Sequence, residues 1–527
     1  MSGGGPVTGG VSRRTLLAAG AAGGIGLAAP RPATARMPEH LWSGFDWGNG
    51  PPVSDRLHQG PFPQYGAGAV VPGSEVVMVT TASRDIVPNV GMGLTVYVSG
   101  DTGPPLIPGQ SLERSIEDLI QLPFVQKVYL RPNWREVQQR PGRLDLPDWW
   151  QITFDLARRH GKQIGFRIML ENPDFAEPGM PAFLMDKVPY LRLKGNWPGD
   201  RSQIRHSKRH ALPRYDHPAY LAAFAELNAL LADALNGSPA IEYMDTMMYG
   251  FWGEGHSWPF EGHVFPSDII AEQTWRQMLE IQIAAWSRTP LVTNTQPDFN
   301  TVGNADMLDR TVRSGNWIRS DTIFIENTQI EALSNRPPWT AAISEVGMTT
   351  GEPSQLGLDQ GVTLNERIID HVLAVGANYW SVWNWHNEAA ANVLSYYDRF
   401  PGPIDEAARR IGYRVYPSFI WAFERDGQAG LVIGLANAGV AAVPGVLRLT
   451  VEDEQGRTLA GGCVDAGYPH PTGIRQAMLM LPQGSAWEGL RLNAEIEIKG
   501  VRHPLRWACR QPLNPDLSIT LRRNVQP

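Results

Sequence analysis

Cysteine is scarce in this chain: two residues in 527, Cys463 and Cys509. Two thiols exclude a CxxC-based metal cluster and a disulfide-dense scaffold. At most one bridge can form, and two free thiols are the alternative. Positive charge is not in excess either. Lys and Arg number 46 against 53 Asp and Glu, for a formal net charge of -7. A nucleic-acid partner needs a basic domain or stripe, so none is expected. Beyond the first 35 residues no apolar run is long enough to span a bilayer. No GxGxxG and no GxxxxGK[ST] opens a helix after a strand, which removes the two commonest nucleotide-binding turns. Clustered histidines at zinc spacing are lacking, as is a G-x-S-x-G elbow. No metal and no cofactor are expected.

Aromatic rings, in contrast, are plentiful: 18 Trp and 14 Tyr. Their flat apolar faces with polar edges suit the C–H faces of sugar rings, although most such rings in any protein serve the core. The N-terminus reads as an address. Arg13-Arg14 precedes a Gly-diluted apolar stretch from Leu16 to Ala29, and Ala33-Thr34-Ala35 forms an A-x-A cleavage site. This resembles a twin-arginine export signal over residues 1–35. The expectation is an exported protein, periplasmic or extracellular, with no membrane anchor after cleavage.

The length calls for more than one domain. Residues 36–75 read as an irregular, Pro- and Gly-rich lead-in. From about 76 to 390 short apolar runs alternate with amphipathic ones, which is the rhythm of βα units on a parallel sheet. Strands are expected at 93–98, 125–130, 163–170, 240–248, 291–294, 322–325, 339–344 and 378–382. Helices are expected at 111–120, 219–235 and 365–375, the second opened by Asp216-His217-Pro218. Eight strands point to a (β/α)8 TIM barrel over residues 36–405, with an open doubly wound sheet as the alternative. Residues 406–527 read as a linking helix, 406–422, and an antiparallel β-sandwich.

In such a barrel chemistry sits at the C-terminal ends of the strands. Those ends carry Arg131 and Trp134; Glu171 and Asn172; Tyr249, Trp252, Glu254 and His256; Asn294 and Gln296; Glu326 and Asn327; Glu345; Trp383 and Trp385. The inventory is carboxylate, amide and tryptophan. Two carboxylates flanking one bond are what glycosidic cleavage requires, one to protonate the leaving oxygen and one to attack or to activate water. Amides would bind hydroxyls and indoles would stack on the ring. Arg131 suits the orienting of a carboxylate, and Glu171 suits a substrate or loop contact. A basic run in the long segment after strand three (Arg201, Arg205, His206, Lys208, Arg209, His210, Arg214) reads as a solvated face or as a contact for an acidic glycan.

Two of these segments resemble a known group. Arg131-Pro132-Asn133-Trp134 with Pro141-Gly142-Arg143-Leu144-Asp145 resembles a signature of clan A barrel glycosidases. Gly250-Phe251-Trp252-Gly253-Glu254-Gly255-His256 is similar to the G-x-W-G-E motif of β-galactosidase-like barrels with C-terminal β-domains. The resemblance implies an acid/base after strand four and a nucleophile after strand seven. On matching positions these are Glu254 and Glu345, acting by retention, with Trp383 flooring the sugar site. The clan usually places Asn directly before the acid/base; here Gly253 holds that position. Glu326 is the rival nucleophile. A non-catalytic carbohydrate-binding barrel, an inverting glycosidase and a transglycosylase are the competing functions. The expected partner is a carbohydrate, with the chain monomeric or homo-oligomeric.

Overall fold

The computed structural model describes residues 74–98, 106–173, 177–193, 211–257, 263–295, 304–320, 327–348, 364–384, 401–425, 427–471 and 473–523. Residues 104, 175, 260, 394, 397 and 398 are described singly, and the gap at 174–176 is otherwise outside the description. The export signal and the basic run up to His210 lie outside the described residues. Arg214 is inside them and forms a two-pronged pair with Asp216, 2.7 and 2.5 Å.

Eight parallel strands close on themselves: β1 (Gly93–Tyr97), β2 (Val125–Leu130), β3 (Gln163–Phe166), β4 (Ile241–Asp245), β5 (Leu291–Asn294), β6 (Trp317–Ser320), β7 (Ala342–Met348) and β8 (Tyr379–Asn384). β8 pairs β1 and β6 pairs β7, so the sheet has no edge. Helices follow the strands: α1 (Leu112–Ile120), α2 (Asp148–Arg159), α3 (Pro218–Leu235), α4 (Asp268–Ala285), α5 (Asn304–Arg313), α6 (Asn327–Ser334), α7 (Leu364–Ala374) and α8 (Pro401–Arg410). Local chemistry starts several of them. The Ser111 hydroxyl accepts from the Arg114 amide at α1, and Ser267 does the same for Ile270 at α4. Each satisfies an amide the first turn leaves open. His217 and Pro218 open α3. Among the described residues no helix is long and apolar enough to cross a membrane.

Period-two alternation sorts the strand residues into two cores. Leu94, Val96, Val128, Leu130, Ile164 and Phe166 face the helices in one. Tyr129, Tyr243, Trp317, Ile343 and Tyr379 fill the barrel interior and belong to the other, which runs on into the C-terminal sheets. Gly165 makes room for this layer. A Cβ there would meet Tyr243 Cζ at 2.3 Å.

The sixth strand of the barrel is Trp317–Ser320; the expected 322–325 lies outside the described residues. β6 carries a charge inside an apolar run, and that charge, Arg319, is fully buried. With strand six ending earlier, the link to β7 has room for the eight-residue α6. β7 starts at Ala342, three residues later than expected, and runs on through Glu345.

The C-terminal part is antiparallel: β9 (Val415–Arg425), β10 (Gln428–Asn437), β11 (Val446–Glu452), β12 (Thr458–Val464), β13 (Ile474–Leu481), β14 (Arg491–Ile498), β15 (Val501–Pro504) and β16 (Ile519–Thr520). The expected helix at 406–422 is corrected. α8 ends at Arg410, and β9 begins at Val415 as an eleven-residue strand. One sheet runs β12-β11-β14-β15 with β16 on β14. The other begins with a strand from the start of the described chain, Ser74–Val79, which pairs with β9, followed by β10 and β13. Part of the segment read as irregular lead-in is therefore sheet. Cys463 and Cys509 are both free thiols.

Candidate active site

At the C-terminal end of the barrel lies a buried cluster of three guanidiniums and three carboxylates. Arg131 follows β2, Arg167 follows β3 and Arg319 sits in β6. Asp245 ends β4, Glu254 lies in the loop after it, and Glu345 sits in β7. Asp245 and Arg319 have no exposed surface, Arg167 and Glu345 almost none, and Glu254 keeps 9%. Buried charges persist only when paired, and here each has a partner.

Arg131 lies between the two predicted catalytic carboxylates. Its Nη2 donates to Glu254 Oε1 at 2.6 Å, and its Nη1 is 4.0 Å from Glu345 Oε1. The guanidinium also stacks over the Tyr97 ring, 5.2 Å from its centre. Arg167 Nη1 reaches Glu254 Oε1 at 3.2 Å and the Trp252 carbonyl at 2.9 Å, while its Nη2 donates to Asp245 at 3.1 Å. Arg319 pairs with both Asp245 and Glu345, and its Nη1 is 3.2 Å from the Tyr129 hydroxyl. Tyr129 in turn donates to Asp245. Burial, ahead of the surrounding charges, pushes the Tyr129 phenol above its ordinary value, so it acts as a donor.

Glu254 has a third neighbour, His256, whose Nε2 lies 3.1 Å from Oε2. Burial works to raise the Glu254 pKa. The His256 hydrogen bond and the charges of Arg131 and Arg167 outweigh it and hold the carboxyl well below the usual carboxylate range. The free protein therefore carries Glu254 ionised.

The loop that presents Glu254 is built on unusual backbone. Gly250, Gly253 and Gly255 all have positive φ, at 86°, 74° and 84°, and so does Trp252 at 54°. A Cβ on Gly250 would sit 2.0 Å from the His256 carbonyl oxygen. Trp252 has no such freedom, and a non-glycine residue held there costs of order 1–3 kcal/mol. Its amide donates to the Glu171 carbonyl at 2.9 Å, its carbonyl accepts from Arg167, and its ring tilts against His256. Asn294 Nδ2 donates to the Glu254 carbonyl at 3.3 Å and fixes the loop from β5.

Arg131, Trp252, Glu254, His256, Asn294 and Glu345 are thus gathered around one cluster. Glu171 is engaged elsewhere. Its carboxylate accepts from the amides of Gly179 and Met180, 3.2 and 3.4 Å, and from the Tyr190 hydroxyl. It staples its own loop, with Asn172 fully buried beside it. Trp134 is fully buried, edge-on to Tyr220, its indole N–H donating to Gln138. Tyr249 packs among Tyr215, Phe265 and Trp275. Both rings are buried among other aromatics. Gln296, Glu326 and Trp385 lie outside the described residues, as do the side chains of Asn327 and Trp383, whose backbones start α6 and run in β8.

Sequence reasoning missed Arg167, Asp245 and Arg319, with Tyr97 and Tyr129 around them. The usable signal was charge inside otherwise apolar strands, since such a charge is almost never left unpaired in a core. Among the described residues no group of three or more His, Cys, Asp or Glu is placed to hold a metal.

No family model matches the chain, and no curated protein matches it. Among solved structures it is similar to the catalytic domain of the β-amylase from Paenibacillus polymyxa, at 9% identity and TM-score 0.36, over 59% of this chain and 98% of that one. It is similar to endo-glycoceramidase II from Rhodococcus sp., at 12% identity and TM-score 0.35, over 76% and 100%. It is also similar to a D-allulose 3-epimerase from Methylomonas sp., at 8% identity and TM-score 0.30, over 63% and 97%. Likenesses of that degree carry no argument about function.

Proposed function

We propose that the chain is a glycoside hydrolase in which Glu254 and Glu345 form the working carboxylate pair. The observation that supports this reading is Arg131, one guanidinium facing both carboxylates at the end of the barrel where such enzymes do their chemistry. In the retaining form of the proposal Glu345 attacks the anomeric carbon. Glu254 first protonates the leaving oxygen and then activates water.

The charge state sharpens the proposal. Glu254 is ionised in the free protein, so as an acid it has to take up a proton. A group whose pKa lies low in the free enzyme is in its acid form only at low pH. If Glu254 is the acid, kcat/KM falls as pH rises through the acidic range. If the roles are exchanged and Glu254 attacks, kcat/KM holds down to acid pH. The specific observation favouring a non-catalytic barrel is the same double arginine pairing of Glu254, which is also what a structural ion network looks like.

The test is a panel of aryl glycosides and their 2-deoxy-2-fluoro counterparts, with Glu254→Gln and Glu345→Gln. The reading expects hydrolysis of at least one sugar. It expects a trapped glycosyl adduct on Glu345 by mass spectrometry, and recovery of Glu254→Gln by azide. No hydrolysis of any sugar, or variants as active as the native chain, would sink it. We also propose export, supported by Arg13-Arg14 ahead of the apolar stretch. Changing both arginines to Lys is expected to retain the protein inside the cell, and continued export would refute it.

A further inference from the structure

Asp245 touches neither predicted catalytic carboxylate, yet the cluster is organised around it. Its Oδ2 receives three donors from three different strands: the Tyr129 hydroxyl of β2, Arg167 Nη2 from beyond β3 at 3.1 Å, and Arg319 Nη1 of β6. The two arginines do not end there. The remaining nitrogen of Arg167 goes to Glu254, and that of Arg319 goes to Glu345. Asp245 is therefore the common anchor of two guanidiniums, each of which carries one of the two carboxylates. It has no exposed surface and sits at the last position of a barrel strand, so it is placed by the sheet and not by a loop.

We infer that Asp245 is a positioning residue that sets the placement and charge of Glu254 and Glu345 together, through Arg167 and Arg319. This rests on the reading of those two glutamates as the working pair. The physical basis is charge division. A guanidinium shared between two carboxylates gives each only part of its attraction. Whatever Asp245 draws from Arg167 is withheld from Glu254, and whatever it draws from Arg319 is withheld from Glu345. The charged and titratable groups facing Asp245 are Tyr129 on β2, Arg167 after β3, Tyr243 on its own strand and Arg319 on β6. No other carboxylate shares Arg167 with Glu254 among the described ion pairs.

Two substitutions push this arrangement in opposite directions. Asp245→Asn keeps the shape and removes the charge. Arg167 then turns its full attraction on Glu254, whose carboxyl stays ionised to lower pH. Tyr129→Phe removes a donor from Asp245 and leaves more of its charge for the arginines. Their hold on Glu254 loosens, and its titration moves up. The experiment labels the full-length protein with carboxyl-13C glutamate, assigns Glu254 from Glu254→Gln, and follows its chemical shift against pH in the native chain and both variants. A shift of about one pH unit in opposite directions is expected. On a hydrolysed aryl glycoside, Asp245→Asn is expected to lower kcat more than it raises KM and to move the alkaline limb of kcat/KM to lower pH.

Unmoved titrations, or two shifts of the same sign, overturn the inference whatever the substrate. Should Asp245→Asn not fold, Tyr129→Phe decides alone, with an upward shift supporting and no shift refuting. Opposite shifts in a protein that hydrolyses no sugar would refute the glycosidase reading and leave the coupling through Asp245 standing.

Discussion

The two ends of one barrel hold similar ingredients arranged to different effect. At the N-terminal end Lys127 of β2 pairs with Glu242 of β4, and Gln163 takes a second Lys127 proton at 2.8 Å. Glu242 also accepts from the Gly91 amide at 2.7 Å and from the Tyr379 hydroxyl. One cation thus meets one carboxylate, and neutral donors fill the rest of its acceptor capacity. At the C-terminal end three arginines divide themselves among three carboxylates, Asp245, Glu254 and Glu345. The first arrangement behaves as a closed plug. The second has several competing partners of similar strength, and a newcomer that changes one contact changes the others. Buried charge by itself does not mark a site; charge with more than one way to be satisfied does.

The sharpest way to break this comparison is to damage the plug. Lys127→Met strands the Glu242 carboxylate in a dry interior, and losing one partner of a buried pair costs about 3–5 kcal/mol. Urea unfolding should show that loss, while activity per folded molecule stays near native. Adding Glu242→Gln should recover part of the stability. A cost below 1 kcal/mol would mean the plug is wetter than it looks. The next effect belongs to the other end. Gly250→Ala puts a Cβ against the His256 carbonyl at a positive φ, and about 1–3 kcal/mol of strain is expected. It should also displace Glu254, so kcat should fall by more than the stability loss explains.

A smaller effect concerns acid. Glu254 has a folded-state pKa depressed below the value of about 4.3 it regains on unfolding. Its stabilising contribution is complete above that unfolded value and is lost as pH falls through the folded one. Glu254→Gln should therefore narrow the gap in stability between neutral and strongly acidic pH, measured as unfolding midpoints across that range. An unchanged pH slope would detach Glu254 from its arginines. The smallest effect is expected far from either cluster. Cys463→Ser on exposed β12 should move stability by less than about 0.5 kcal/mol, and both thiols should titrate in denaturant without reductant.

Much of the fold was legible because strands and helices leave periodic traces. β2 and β5 fell at their observed bounds, and α3 announced itself by Pro218 at its first turn. What failed was the sixth strand and the placing of three buried charges. The sixth strand was expected at 322–325, whereas β6 is Trp317–Ser320, and Arg167 and Asp245 were passed over inside strands that were otherwise found. Their partners lie on other strands, and period-two patterning says which face a residue takes but not which neighbour meets it there. Trp134 shows the converse. Its place three residues after Arg131, in the same strand-end segment, suggested the site, but its ring is buried edge-on to Tyr220.

The strand Ser74–Val79 carries a consequence for how the molecule can be made or divided. It lies beside β9, and the Thr80 hydroxyl next to it donates to the Pro417 carbonyl across 337 residues. A growing chain cannot complete this sheet until the whole barrel has been synthesised, so the strand must wait, unpaired, through most of translation. Closing so long a loop is slow. Separating barrel from sandwich at residue 405 would leave each half with a raw sheet edge, open to pairing with other copies. The strand Ser74–Val79 works as a late clasp, joining the segment before the barrel to the sheet after it only when everything between them exists.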